Sequence, residues 1–332
     1  MIVGKALAGW LADEKEQARR TAETEDFARR FQAIPARAAL EEGLRGAETG
    51  GADEILELAR TFLEDDSGIR ECVDEMIGAA SRNPYFQPTL RTASTALHSG
   101  LLLYDGPRLT IMLAVMGPDA IAAKRVFRQG GASISFGGQK SLFRFLKAGG
   151  AVLSFWEAPD IGADFAGDAT LRCRLTERRP IADGETLAID GARQSFVIEH
   201  ASSPLVYLQA LTPLDAAPVM SEFDSITHAF AGASSTDDAG SRIGMMLSLL
   251  RVMDRKDAVP LFVGMLAAPH FYARWHAMRE FLALDAQEAL PHLRKMAEAD
   301  PHQEVRAAAS QTLRAFFPEQ TAQQELAEQC PN

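Results

Sequence analysis

Seven histidines are the first place to look for chemistry in this sequence. His270 and His276 flank Trp275, and His292 and His302 follow. His98 and His200 lie in a strand-rich middle, and His228 lies in a connector. None stands in an H-E-x-x-H or another metal-binding spacing. Imidazole and carboxylate together suit iron, zinc or manganese, so the one metal set the sequence offers is His98, His200 and an acid. No local spacing gathers those residues. The expectation is a protein with no metal and no other cofactor. Residues 196, 198 and 200 share one strand face, which predicts His200 in a core behind Phe196 and Ile198. Nucleophile motifs are missing: there is no G-x-S-x-G, and no cysteine adjoins a histidine in a known signature. Gly137-Gly138-Gln139-Lys140-Ser141 has a Lys-Ser pair but lacks the upstream glycine of a phosphate loop. No residue is assigned a catalytic role.

Arginines offer a better basis for recognition. Arg172 and Arg174 project from the same face of one short strand, and Arg178-Arg179 follow at its end. In an acidic protein such a cluster could dock a carboxylate-rich partner or a phosphate. The alternative is a solvated outer sheet face, balanced by Glu177 and Asp183.

Composition narrows the classes. The chain has 332 residues, 47% of them apolar, so it can build two or three packed domains. A net charge of -11 argues against a general nucleic-acid binder, because neutralising phosphates needs a Lys/Arg surplus. Cys72, Cys173 and Cys330 are odd in number and far apart, which reads as reduced and intracellular. Met1 to Trp10 runs straight into Asp13-Glu14-Lys15-Glu16, too quickly charged for a signal peptide. No apolar run approaches a membrane span. A soluble cytoplasmic protein is expected.

The elements that must position these residues fall in three parts. Residues 1–83 read as helix throughout, rich in Ala, Glu, Arg and Leu. Phe27 and Phe31 stand at i, i+4, and Ile55, Leu58, Phe62 and Leu63 form an apolar stripe. This region reads as an amphipathic bundle, a dimerisation arm or a partner-binding arm; the oligomeric state stays open, and a homodimer fits. Asp66-Ser67 offers a cap for the last of these helices. Asn83-Pro84-Tyr85-Phe86-Gln87-Pro88 marks a boundary. Over 84–225 the period shortens to two. Leu101–Tyr104 and Leu109–Val115 predict a hairpin about Asp105-Gly106-Pro107. Strands are also predicted over 133–136, 142–146, 151–156, 171–175 and 205–211, the fourth with Leu171, Cys173 and Leu175 inward. Thr186–Ile189 and Ser195–Ile198, joined at Asp190-Gly191, predict a second hairpin. Such short strands with Gly-rich turns suggest a sandwich or jelly roll.

Asp183-Gly184-Glu185-Thr186-Leu187-Ala188-Ile189-Asp190-Gly191 resembles the second signature motif of cupins. In that family a Gly-acidic pair opens a strand, a Pro-containing turn ends it, and a metal-binding His follows. Here the turn has no Pro, and Gln194-Ser195 stands where the His is sought. The first motif, His-x-His with a downstream Glu, is absent, since Leu142 to Glu157 contains no His. The resemblance implies a cupin-like barrel that has lost its metal site.

Residues 234–318 repeat. Arg242, Arg274 and Arg306 stand 32 residues apart, as do Leu249, Phe281 and Leu313. Val259-Pro260 and Leu290-Pro291 recur at 31, as do Met265 and Met296. This self-match is the signature of a helical-pair solenoid, whose pairs bury their apolar faces by stacking. Helices are predicted over 240–253, 257–267, 271–284, 286–298 and 303–316, after a connector over 221–233. The stretch resembles HEAT repeats. The resemblance implies that Asp300, in the turn before Arg306, pairs with that arginine, and that the arginine ladder is structural. The opening helix carries Ile243, Met246, Leu247, Leu250 and Met253, a stripe expected to be buried against the β domain. Residues 319–332 read as a polar tail.

The fold class expected is therefore a helical N-terminal region, a cupin-like jelly roll and a HEAT-like α-solenoid. The function expected is a non-enzymatic adaptor or regulatory protein that holds a partner protein or peptide on the concave solenoid face. Tyr272, Trp275, His276 and Arg279 are the candidate contacts there, with Arg172 and Arg174 as a second patch. The alternatives are a metal-dependent cupin-type enzyme of the oxygenase or isomerase class, acting on a substrate held by the solenoid, and a small-ligand sensor.

Overall fold

The computed structural model describes residues 9, 12–83, 86–95, 98–127, 133–159 and 170–318. The Pro84-Tyr85 step of the expected boundary and the polar tail with Cys330 lie outside them. The chain divides into two compact units, one of Met1–Ala158, Cys173–Ala216 and Asp224–Thr227, the other of Pro159–Arg172, Ala217–Phe223 and His228–Asn332.

The first unit opens with four helices, α1 (Glu14–Gln32), α2 (Pro35–Gly46), α3 (Ala52–Glu64) and α4 (Asp66–Arg82). Pro35 starts α2, where its missing N–H is no loss. The cap of α4 is Asp65, one residue before the expected Asp66-Ser67. Its carboxylate accepts from the backbone N–H of Ser67 and Gly68 at 3.1 and 3.0 Å.

Nine strands follow in the described part of this unit: β1 (Thr92–Ser94), β2 (His98–Asp105), β3 (Thr110–Met116), β4 (Ser133–Phe136), β5 (Lys140–Lys147), β6 (Val152–Glu157), β7 (Arg174–Pro180), β8 (Thr186–Asp190) and β9 (Gln194–His200). A tenth, β10 (Leu205–Thr212), returns to the centre, and a helix α5 (Pro118–Phe127) sits between β3 and β4. One antiparallel sheet runs β1-β2-β3-β10-β5-β8 and a smaller one runs β7-β6-β9. The larger sheet is covered on both faces. Leu103, Leu109, Ile111, Leu142, Leu208 and Ala210 share a core with Phe27, Phe31, Ile55 and Leu63 of the helices. The alternate residues, among them Met112, Ala114, Phe145, Leu205 and Tyr207, face Leu153, Phe155 and Phe196 of the smaller sheet. Burial on two sides explains why Thr110–Met116 is an almost unbroken apolar run.

The first expected hairpin is β2-β3. The second does not form, because β8 pairs with β5 and β9 pairs with β6. The Asp190-Gly191 turn instead docks on another turn: Gly191 exchanges backbone bonds with Gln139 and Gly138. A Cβ on Gly191 would stand 2.3 Å from the Gln139 carbonyl oxygen, so only glycine fits this approach. Leu175 is not inward. It lies 48% exposed, because β7 is the sheet edge and bulges against Phe155-Trp156.

In the second unit the expected connector is a hairpin, β11 (Val219–Asp224) with β12 (Phe230–Ser235). Small residues in Phe230-Ala231-Gly232-Ala233-Ser234-Ser235 hide it from a propensity reading. Five α-helices follow: α6 (Asp238–Val252), α7 (Val259–Met265), α8 (Phe271–Leu284), α9 (Ala286–Ala299) and α10 (Gln303–Phe316). They match the five expected, and α7 is shorter because Lys256–Ala258 forms a 3-10 turn before it. One core joins Leu247, Val259, Phe262, Phe281 and Ala289; a second joins Met278, Leu293, Met296, Val305 and Ala309. The two helical pairs, α7-α8 and α9-α10, thus bury each other as the 32-residue spacing requires.

Candidate functional site

Tyr272, Trp275, His276 and Arg279 stand at i, i+3, i+4 and i+7 of α8, so the helix presents them on one face. All four line a cavity of about 600 Å³. α6 supplies Gly244, Leu247 and Ser248 to its wall, and α10 supplies Glu304, Val305 and Ala308. Most of its lining therefore comes from α6, α8 and α10, with Met265 of α7 and Ser235 of β12. Its floor is apolar, with Trp275, Phe271, Met265 and Val305, and its polar groups are few. Arg279 and Glu304 supply its two charged side chains, of opposite sign.

The side chains around it are held firmly. The Ser235 hydroxyl donates to the Tyr272 hydroxyl at 2.7 Å, and burial raises the Tyr272 phenol above its ordinary value. His270 stacks on Tyr272 with ring centroids 5.3 Å apart. His276 Nε2 donates to the Gly244 carbonyl oxygen at 3.1 Å. A Cβ on Gly244 would stand 3.2 Å from the His276 ring, so this glycine sets how closely α6 and α8 approach. His302 stacks on Phe271 at 4.0 Å. These imidazoles are packing groups.

The arginine ladder is structural, but its pairing differs from the expectation. Asp300 binds Arg274, not Arg306. Arg274 Nε and Nη2 donate to its two carboxylate oxygens at 2.8 and 2.7 Å, with both side chains buried. Burial alone would raise the Asp300 carboxyl. The Arg274 bonds, the His302 N–H and the nearby positive charges outweigh it and hold the carboxyl below its ordinary value. Arg306 takes the Asp300 and Pro301 carbonyl oxygens at 2.6 and 3.1 Å. Arg274 takes those of Ala268 and Pro269, both at 3.0 Å, so the two arginines repeat one role. The reach of a guanidinium across one repeat is why the acid that pairs with Arg274 belongs to the following copy.

The opening helix departs further. Of its expected stripe only Leu247 is buried, with Leu250 partly so. Ile243, Met246 and Met253 are 38%, 62% and 55% exposed. The buried side of α6 is turned towards α8 through Gly244 and Leu247, which rotates the stripe outward.

The other candidates are not brought together. Arg172 forms an isolated bridge with Ala229 in the second unit, while Arg174 starts β7 in the first. Arg174 is paired with Glu157. Arg179 is paired with Glu185 at 2.7 Å and lies over the Phe155 ring. His98 begins β2, close to the Thr95 hydroxyl, and burial lowers its pKa. His200 is exposed at the end of β9, not in the core, because the register places it opposite Val152 at the strand terminus. Among the described residues no three His, Cys, Asp or Glu side chains group as a metal site. Between the sheets of the first unit lies a smaller cavity of about 210 Å³. Phe143, Phe145, Phe196 and Tyr207 line it, with Ser133, Ser135 and Ser195. Burial pushes the Tyr207 phenol up to about 12. Alternation in Leu142–Leu146 and Ser195–Ile198 was the signal for this aromatic lining.

The model for HEAT repeats matches residues 229–314. No curated protein matches the sequence. Solved structures similar over part of the chain include an ectoine synthase from P. lautus, at 15% identity over 37% of this chain and 69% of that one, with a TM-score of 0.22. A sugar phosphate isomerase of the cupin superfamily from Silicibacter pomeroyi is 12% identical over 45% and 90%, at 0.24. A cupin domain from Bordetella pertussis Tohama I is 10% identical over 38% and 96%, at 0.21. Likenesses of this size say nothing of activity. By the match over residues 229–314 the C-terminal helices are HEAT-like repeats, and the domain before them packs two antiparallel sheets face to face.

Proposed function

We propose that this protein is a non-enzymatic adaptor of the cytoplasm, and that it holds a partner protein or peptide in the cavity of its HEAT-like array. One observation carries the reading. Tyr272, Trp275, His276 and Arg279 converge on a single cavity of about 600 Å³ walled mostly by α6, α8 and α10. A large aromatic beside an arginine in a concave apolar wall is the usual composition of an interface anchor. The partner would insert an apolar side chain against Trp275 and present a carboxylate to Arg279.

The test uses the full chain with Trp275→Ala and Arg279→Glu. Loss of at least tenfold in partner affinity with unchanged melting supports the reading. Unchanged affinity removes it. A second reading, a small-ligand sensor, is favoured by the cavity of about 210 Å³ between the sheets, whose aromatic walls and serines suit a small neutral molecule. A shift in melting temperature with such a ligand, abolished by Phe196→Trp, would favour that reading.

A further inference from the structure

The α6 helix has a second apolar face, opposite the one turned to α8. Met245, Met246, Leu249, Val252 and Met253 are between 55% and 69% exposed. Their spacing is that of one helical stripe, and together they form a patch on the order of 500 Å², at the upper end for a lone protein surface. The repeat explains what is missing. A shift of 32 residues places Met245, Met246, Leu249 and Val252 on Ala277, Met278, Phe281 and Leu284 of α8. Those four are 0%, 0%, 0% and 7% exposed. Phe281 is covered by Phe262 of α7, with ring centroids 5.9 Å apart. Thus α8 and α10 each follow a first helix that packs on them, whereas α6 follows the β11-β12 hairpin.

Charge points the same way. Arg306 is bonded to the carbonyls that end α9, and Arg274 to those that follow α7. Arg242 is the third member of this ladder and is exposed. At the register of Asp300 this chain has Ala268, so no carboxylate stands at that position of the repeat for Arg242.

We propose that the exposed face of α6 docks an amphipathic helix of a partner protein, which completes the array as its missing first helix. The docked helix runs antiparallel to α6. Its apolar residues at i, i+3, i+4 and i+7 cover Met245, Leu249 and Val252. Its C-terminal carbonyls and an acidic side chain lie at Arg242, where the negative end of its dipole also favours a cation. This surface meets the Trp275 cavity at Met245, while Arg242, Leu249 and Val252 lie outside that cavity's lining.

The probe is a fluorescein-labelled peptide with the sequence of residues 285–300, the first helix that precedes α10, titrated into the full-length protein by anisotropy. Saturable binding is expected, weakened at least tenfold by Leu249→Asp and by Arg242→Glu, and unchanged by Trp275→Ala. Leu249 and Arg242 are exposed, so circular dichroism melting of both variants should match the parent. Absence of saturable binding, or equal binding by both variants, overturns the proposal. So does sedimentation showing a dimer that Leu249→Asp dissociates, because a second copy would then occupy the face.

Discussion

Replacing Asp300 with alanine should cripple the C-terminal unit far more than a surface ion pair would. Its carboxylate accepts two bonds from Arg274, at 2.8 and 2.7 Å, and one from the His302 N–H at 2.8 Å. The side chains are only 8% and 3% exposed. Asp300→Ala therefore leaves a buried guanidinium with two neutral carbonyls as its only acceptors among the described residues. Removing one member of a buried pair typically costs about 3–5 kcal/mol. Removing both, in Arg274→Met with Asp300→Leu, should cost less than Asp300→Ala alone, since no charge is stranded. Hydrogen exchange of the α8–α10 amides, read by mass spectrometry, reports this unit separately from the first. A loss below about 1 kcal/mol for Asp300→Ala, or a double variant worse than the single, would refute the argument. The same pair sets an acid limit. The folded Asp300 carboxyl lies below its unfolded value of 3.8, so its stabilisation is complete above that pH and is lost as pH falls through the lowered folded value.

Three further outcomes follow from burial and exposure. Burial pushes the Cys72 and Cys173 thiols up to about 11, so peptide mapping should find both unlabelled by a maleimide in the native protein and labelled in urea. Phe262→Ala should cost about 3–5 kcal/mol by opening a cavity against Phe281, read by the same hydrogen exchange. Arg174→Glu, at a side chain 72% exposed, should change thermal stability by no more than about 0.5 kcal/mol despite its Glu157 partner.

Periodicity made the C-terminal helices legible. Pro260 and Pro291, the arginine ladder and the apolar spacing placed five helices within a few residues of those observed. The four residues chosen on α8 reached one cavity because helical spacing alone sets a shared face. What the sequence hid depends on contacts distant in the chain. The partner of Asp300 lies 26 residues back, not six ahead, and no local pattern distinguishes the two. Similarly, β8 and β9 read as a hairpin across Asp190-Gly191, but each strand is captured by a different sheet. For α6, apolar residues lie all round the helix, so its sequence cannot say which stripe is buried. The cupin-like motif pointed to a β domain but not to its strand order, and alternation marked aromatics in β5 and β9 that meet around one cavity only when β5, β9 and β10 are brought together.

The central claim is that the concave face of the HEAT-like array holds the partner. The most direct measurement is quantitative mass spectrometry of proteins captured from the native cell extract by the full-length chain and by its Trp275→Ala, Arg279→Glu double variant. The account predicts that a defined set captured by the parent falls at least tenfold with the variant, while both melt alike. Retention of that set by the double variant, with loss only on altering the helices of residues 12–83, would contradict it.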